Sequence, residues 1–493
     1  MLHRRISTEF VGSFVLPLLI VALITILTDV YVADLGVSYR EVIVALFLVA
    51  GLKVALSDGR RGLKVGLVFL VATFGLGYRT ISITPNLRIH PSELVLLGLL
   101  VLLIVQGTRS RRSKMMTRLP TWLILFVPFW LWGWRTIASG NIKWEAMFSE
   151  CKNFIMLIPL FVVAATVLVD KSGWRPLLLT FYCVGIWIAV MGLLEYSYPP
   201  IKTFLPGFVS DPIPYETGEG FQRATFSFWG SADAVYLCVL ALPIGTAVWA
   251  WWSGSWARVL NVALMATLLA GVYISGHRNA WFMITLQFFG FLAVKKQYLL
   301  GLIFLVVLIF AFQLLPNATR ERIYSGVELV SGTPLKSDTS GTKRWGRATT
   351  SLANSFEAPL GKGWAGAGWV HNDFLQVSEN LGLAAGVLFI GAFIFSLQRL
   401  WRRVYSRSKL GAQLIPGTAL ALSFTSAGII LATEAALELP QLILPIWFIW
   451  VTVEIWLRQT HMKRATIDDT SSDLSAFANL QLCGDRPRYI RGS

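Results

Sequence analysis

Stretches of about 15–25 apolar residues recur along almost the whole chain, separated by short polar or basic breaks. A bilayer core takes about 20 helical residues, and no backbone group can go unbonded inside it. This repetition leaves one architecture open: an all-α, polytopic bundle of transmembrane helices. Composition agrees. Of 493 residues, 55% are hydrophobic and 20 are Trp, and the mean hydropathy is +0.62, well beyond ordinary soluble domains.

The apolar runs predict roughly 12–14 helices. Six fall near Phe10–Thr28, Val42–Leu56, Leu63–Gly77, Leu94–Val105, Leu119–Ile137 and Phe154–Val169. Four follow near Leu177–Leu194, Phe228–Trp252, Val259–Ile274 and Ala280–Val294. The last four fall near Leu299–Leu315, Leu381–Leu397, Ile415–Ala432 and Leu439–Ile455.

The net charge of +16 could suggest nucleic acid. Its distribution argues otherwise, because the basic residues cluster in short loops beside the spans and suit anionic headgroups and topology. These clusters are Arg4-Arg5, Arg60-Arg61 with Lys64, Arg109 to Lys114, Lys171 with Arg175, Arg258, Lys295-Lys296, Arg399 to Lys409, and Arg458 to Arg464. With the spans above, every cluster falls on one side, which the positive-inside rule makes cytoplasmic, along with both termini. The first apolar run carries no small-residue cleavage site and reads as a retained anchor.

This topology divides the chain into N-terminal helices (1–197), an outer loop (198–224), helices carrying arginine motifs (225–315), a large outer loop (316–380), C-terminal helices (381–457) and a polar cytoplasmic tail (458–493). A loop as long as the second is commonly functional or disordered. The patterned stretch from Thr339 to Glu379 argues against disorder. No internal repeat stands out, which disfavours a transporter of the inverted-repeat type. The four cysteines (Cys151, Cys183, Cys238 and Cys483) lack CxxC or His/Cys ligand spacing, so neither a disulfide framework nor a zinc site is implied.

Chemistry-bearing residues collect on the outer side. Arg278, in Ser275-Gly276-His277-Arg278-Asn279-Ala280-Trp281, stands at the outer end of a span, where short loops disfavour Arg. The plainer reading is a snorkelling side chain. Arg223 stands where the first outer loop returns to the membrane, as a phosphate ligand or an ordinary loop residue. Guanidinium groups suit phosphate because their planar fork donates in pairs and keeps its charge. Two of them could hold a pyrophosphate and stabilise it as a leaving group.

His371, in Trp369-Val370-His371-Asn372-Asp373-Phe374, closes a Gly-rich turn and is the candidate for proton transfer. Asn372 either orients substrate or caps the next helix. Arg344 reads as a further phosphate or sugar ligand, or as a surface charge, and His277 is a secondary candidate. Gly361-Lys362-Gly363 is no P-loop, since GxxxxGK[ST] is absent. Trp364, Trp369 and Phe374 could stack on sugars or anchor at the interface. Asp211, Glu216 and Glu219 are weaker metal or sugar ligands. No DxD or HExxH motif occurs in the outer loops, so no metal or cofactor is indicated. The set suits a lipid-linked, phosphate-bearing substrate.

In their order, these motifs resemble the O-antigen ligase and O-antigen polymerase superfamily of bacterial inner-membrane glycosyltransferases. The stations are Arg223-Ala224-Thr225-Phe226, then Ser275 to Trp281, then Ser340 through Arg344 and Gly361-Lys362-Gly363 to His371-Asn372, and Glu379-Asn380-Leu381-Gly382. The resemblance covers roughly residues 223–386. It implies a glycan donor on undecaprenyl pyrophosphate and a hydroxyl acceptor on lipid A core or growing polysaccharide. It also implies a periplasmic site and an inverting, metal-independent transfer. Arg223 and Arg278 would engage the pyrophosphate, and His371 would assist the acceptor hydroxyl. Asn279 departs from the glycine usual after the arginine, and Gly230-Ser231 from a frequent Pro-Asn. Ligase and polymerase are not separated, and fold membership alone does not fix the reaction. The competing readings are a transporter for an anionic or lipid-linked solute and a scaffold in an envelope-polysaccharide assembly complex.

Overall fold

The computed structural model describes residues 59–76, 81–84, 87–106, 118–135, 144–168, 173–198, 231–252, 254–314, 320, 339–367, 370–406, 414–439 and 441–460. The first two candidate helices, both long-loop segments at 199–230 and 321–338, and the tail beyond residue 460 lie outside them, as does Arg223.

The protein is an all-α helical bundle of the polytopic membrane type. Among the described residues, seven helices are long and apolar enough to cross a membrane. In chain order the elements begin with α1 (Gly59–Ala72), a small antiparallel hairpin of β1 (Ile81–Thr84) and β2 (Leu87–Ile89), α2 (Pro91–Gln106), α3 (Thr121–Trp132), α4 (Trp144–Ile155) and α5 (Leu157–Val167). Next come α6 (Trp174–Ser197), α7 (Ser231–Trp251), α8 (Ser255–Ser275), α9 (Arg278–Lys295) and α10 (Tyr298–Leu314). The last are α11 (Thr339–Glu357), α12 (Asp373–Leu381), α13 (Leu383–Tyr405), α14 (Leu414–Thr433) and α15 (Gln441–Thr460).

Every candidate helix within the described residues overlaps one of these. The differences are instructive. The candidate at Phe154–Val169 falls on one apolar span, Glu150–Val167, in which α4 runs on into α5 through Met156 with the backbone still helical. The stretch read as outer loop holds two further helices, α11 and α12. The hairpin carries no run of alternation long enough to announce it.

The core closes around α15, whose residues are almost entirely buried and mostly apolar, with Glu454 bonded to Ser396. A helix buried on every side needs no polar face. Phe389 of α13 sits at the centre of an aromatic cluster, 5.5 Å from Phe154, 5.8 Å from Trp450 and 6.1 Å from Trp447 between ring centres. Several polar groups inside the bundle are paired between helices. Pro243 removes one intrahelical bond from α7, because proline has no N–H to give the carbonyl four residues back. That carbonyl, on Val239, accepts instead from Gln287 Nε2 of α9 at 2.9 Å. Gln287 also bonds Ser426 Oγ of α14 at 2.8 Å. One amide thereby fills the bond that the proline leaves open and ties α7, α9 and α14 together.

The basic breaks meet at one end of the bundle. There Arg458 Nη1 donates to Arg118 O (2.5 Å), Arg403 Nη2 to Thr460 O (2.7 Å) and Trp174 Nε1 to Gln459 Oε1 (3.0 Å). The candidate site gathers at the opposite end.

Candidate functional site

Five chain segments meet where α7 begins, α8 turns into α9, α11 lies across, and α14 ends against the start of α12. The α8–α9 turn needs a left-handed residue. Gly276 supplies it at φ 64°, where a Cβ would be unfavourable. The chain then reverses within His277, and α9 starts at Arg278. His277 and Arg278 are thus fixed at a helix N-terminus, a place that favours anions.

His371 is fixed by its neighbours. The Asn372 side chain caps α12 by accepting from Leu375 N at 3.0 Å, and its Nδ2 donates to Ala432 O at 2.9 Å. Asp373, fully buried, accepts from the backbone N–H groups of Ala436 and Leu437, both at 3.0 Å. Both residues therefore bind the chain as it leaves α14, at 432–437. Between those anchors stands Glu434.

Glu434 is the hub, and it is 6% exposed. Tyr236 Oη of α7 donates to its Oε1 at 2.7 Å, and Arg344 Nη1 of α11 donates to the same oxygen at 2.8 Å. Its Oε2 faces His371 Nδ1 at 3.9 Å. Asn279 is a further hydrogen-bond partner of the Tyr236 side chain. His277 lies beside Tyr236, with ring centres 6.2 Å apart. A line of polar contacts runs from Asn279 through Tyr236 to Glu434, and from there to Arg344 and toward His371.

The electrostatics favour an anion. Arg278 and Arg344 act on His277, and Arg344 and Arg347 on His371, while Glu434 is paired with Arg344 and Asp373 is bonded to backbone N–H groups. Both histidines respond. Burial, with Arg344 and Arg278, holds His277 down at about 3, so it is neutral throughout the physiological range. Burial, with Arg344 and Arg347, also depresses His371, opposed in part by Glu434. At neutral pH His371 is an unprotonated imidazole, ready to accept a proton.

A second polar network fixes α12 from beneath. Glu150 accepts from Ala365 N (2.5 Å), Gln376 Nε2 (2.7 Å) and Asn380 Nδ2 (2.5 Å). Glu379 accepts from Lys362 Nζ (2.6 Å) and Asn354 Nδ2 (2.8 Å). The Gly-rich turn closes on α12 through its backbone, with Lys362 N on Glu379 O and Gly363 N on Asn380 O, each at 2.7 Å. Gly361, at φ 78°, lies so close to Asn380 O and Gly382 N that a Cβ has no room. These glycines are turn formers, in line with the absence of a P-loop pattern.

Of the residues singled out from sequence, His277, Arg278, Arg344, His371 and Asn372 come together at this end of the bundle. Asn372 serves as the helix cap, with its amide committed to Ala432 and Leu375. Arg223 lies outside the described residues. Sequence reading passed over Glu434, Tyr236 and Asp373, and took Asn279 only as a departure from a pattern. Glu434 had a signal: a carboxylate closing a long apolar run is costly unless paired. Tyr236 had none. Among the described residues, no group of three or more His, Cys, Asp or Glu is placed to hold a metal ion. No protein-family model matches the chain, and no curated protein matches it.

Proposed function

We propose that this chain is a membrane glycosyltransferase of the O-antigen ligase type. It would transfer a glycan from an undecaprenyl-pyrophosphate carrier to a hydroxyl on lipid A core or growing polysaccharide, at the periplasmic face of a bacterial inner membrane. A repeat-unit polymerase differs only in using a second carrier-linked glycan as acceptor, and it is the alternative. The motif order supports the superfamily. The observation that carries the chemistry is His371 Nδ1 set 3.9 Å from the buried Glu434 carboxylate, which also binds Arg344.

In this reading the acceptor oxygen attacks the anomeric carbon while His371 takes its proton. The bond from that carbon to the pyrophosphate oxygen breaks with inversion, and undecaprenyl pyrophosphate leaves. Arg278 and Arg344, with Arg223 by resemblance, hold the charge that grows on the leaving group. Glu434 keeps Arg344 extended and favours the imidazolium as it forms.

The test is transfer by the purified protein in detergent, with a chelator present, from undecaprenyl-pyrophosphate glycan to lipid A core or to a second donor molecule. Product on the core identifies a ligase, and product on a second repeat unit a polymerase. His371→Ala is expected to lower the rate by about 10²–10⁴-fold, the usual worth of a positioned base. A folded wild-type protein that makes neither product but exchanges substrate across proteoliposomes would replace this reading with transport. A fully active His371→Ala variant would remove His371 from the mechanism.

A further inference from the structure

Helix α11 has three sides. Ala348, Ser351 and Ser355 face the protein, and both serines are buried. Gly346, Arg347, Thr350 and Glu357 form an exposed polar side. The third side is exposed and apolar: Trp345 is 70% exposed, Leu352 44% and Phe356 63%. Spacings of seven and four residues place these three on one stripe of a helix with about 3.6 residues per turn.

The depth of this stripe is fixed by its surroundings. The turn after α11 is bonded to the beginning of a membrane span, with Leu383 N of α13 on Pro359 O at 2.9 Å. The next carbonyl, Leu360 O, accepts from Trp132 Nε1 at 2.9 Å and Arg135 Nη1 at 2.8 Å. Those donors close the end of α3, whose Ile124, Leu125 and Leu131 are exposed apolar residues on the bundle wall. Leu360 is itself exposed and apolar, and the Arg135 guanidinium stacks over the Trp132 ring at 4.5 Å. An indole and a snorkelling arginine at the end of an apolar helix mark the boundary between headgroups and acyl chains. The apolar stripe of α11 continues from that boundary.

We infer that α11 is an in-plane membrane helix, with Trp345, Leu352 and Phe356 seated in the headgroup–acyl boundary of the bilayer beside the site. The lipid surface is then the third wall that keeps α11 in place, and α11 delivers Arg344 to Glu434. The docking stands apart from the glycan-transfer reading. That it also presents Arg344 to a carrier-held pyrophosphate rests on that reading.

Nitroxide labels at Phe356→Cys and Thr350→Cys test it in lipid nanodiscs. The background is Cys483→Ser, because Cys151, Cys183 and Cys238 are buried. Power saturation compares oxygen, which partitions into lipid, with a water-soluble nickel chelate. The Phe356 label is expected to favour oxygen and the Thr350 label the chelate. A label at Leu352→Cys repeats the measurement should the Phe356 variant not be recovered. A Phe356 label as open to the chelate as Thr350 would overturn the inference by showing a water-exposed stripe. A label shielded from both reagents would overturn it by showing a protein cover. Neither outcome depends on any glycan product.

Discussion

The behaviour of His371 is decided by Glu434, Arg344 and Arg347, with burial. Burial and the two arginines disfavour the imidazolium, and Glu434 favours it. The neutral, proton-accepting form is therefore kept from alkaline pH down to below the ordinary histidine range near 6.5. Activity that needs this form is expected to be level through neutrality and to fall on an acid limb below 6.5. Glu434→Gln removes the carboxylate that favours the charged ring. It should move the acid limb to still lower pH and reduce kcat by about tenfold, less than the loss expected when His371 itself is removed. The pH profile separates this role from a structural one, since a merely loosened site would lower kcat without moving the limb. An acid limb above 6.5 in the wild type, or one unmoved in Glu434→Gln, would contradict this account.

At the scale of elements, α12 works as a clamp. Its first residues grip the exit of α14, and its last residues are held by Glu150 and the Gly-rich turn. Asp373→Ala leaves the N–H groups of Ala436 and Leu437 buried without their acceptor, at about 1–3 kcal/mol each. Asn372→Ala removes a cap worth about 1 kcal/mol and a bond to Ala432. Both variants are expected to lower the thermal midpoint in detergent, Asp373→Ala by more, and both should reduce transfer through misplacement of Glu434. Equal midpoints for Asp373→Ala and wild type would show that the clamp holds nothing. The helices in this clamp also mark how far local sequence reading reaches. Long apolar runs such as those of α6 and α14 declare themselves, because a bilayer allows such a run one conformation. Helix α11, rich in Thr, Ser and Gly, has poor intrinsic propensity and exists by packing one side on the protein. The partners of Glu434 were illegible for a similar reason. Tyr236 lies 198 residues away along the chain, and no local pattern encodes a contact at such a distance. His371-Asn372 was legible because a turn, a cap and a helix are all local.

Over the whole molecule, charge is sorted between two ends. One end joins the basic breaks through Arg403, Arg458 and Gln459, and the other gathers Arg278, Arg344, His371 and Glu434. The described bundle is mostly apolar, with paired polar groups such as Gln287 with Ser426 and one buried ion pair, Lys152 with Glu93. A transporter using the same arginines would need them to reach the far end. A site confined to one end instead suits a reaction completed on one face. If the basic end is cytoplasmic, as the positive-inside rule requires, single cysteines in the Cys483→Ser background must report opposite sides. A cysteine replacing exposed Thr350 should react with a membrane-impermeant maleimide added outside spheroplasts. One replacing Ser406, at the end of α13, should react only after permeabilisation. The reverse pattern would turn the site inward and exclude a periplasmic transferase. Labelling of both positions from outside would break the two-ended reading itself, and with it the argument that Arg344 and His371 share a compartment remote from the basic loops.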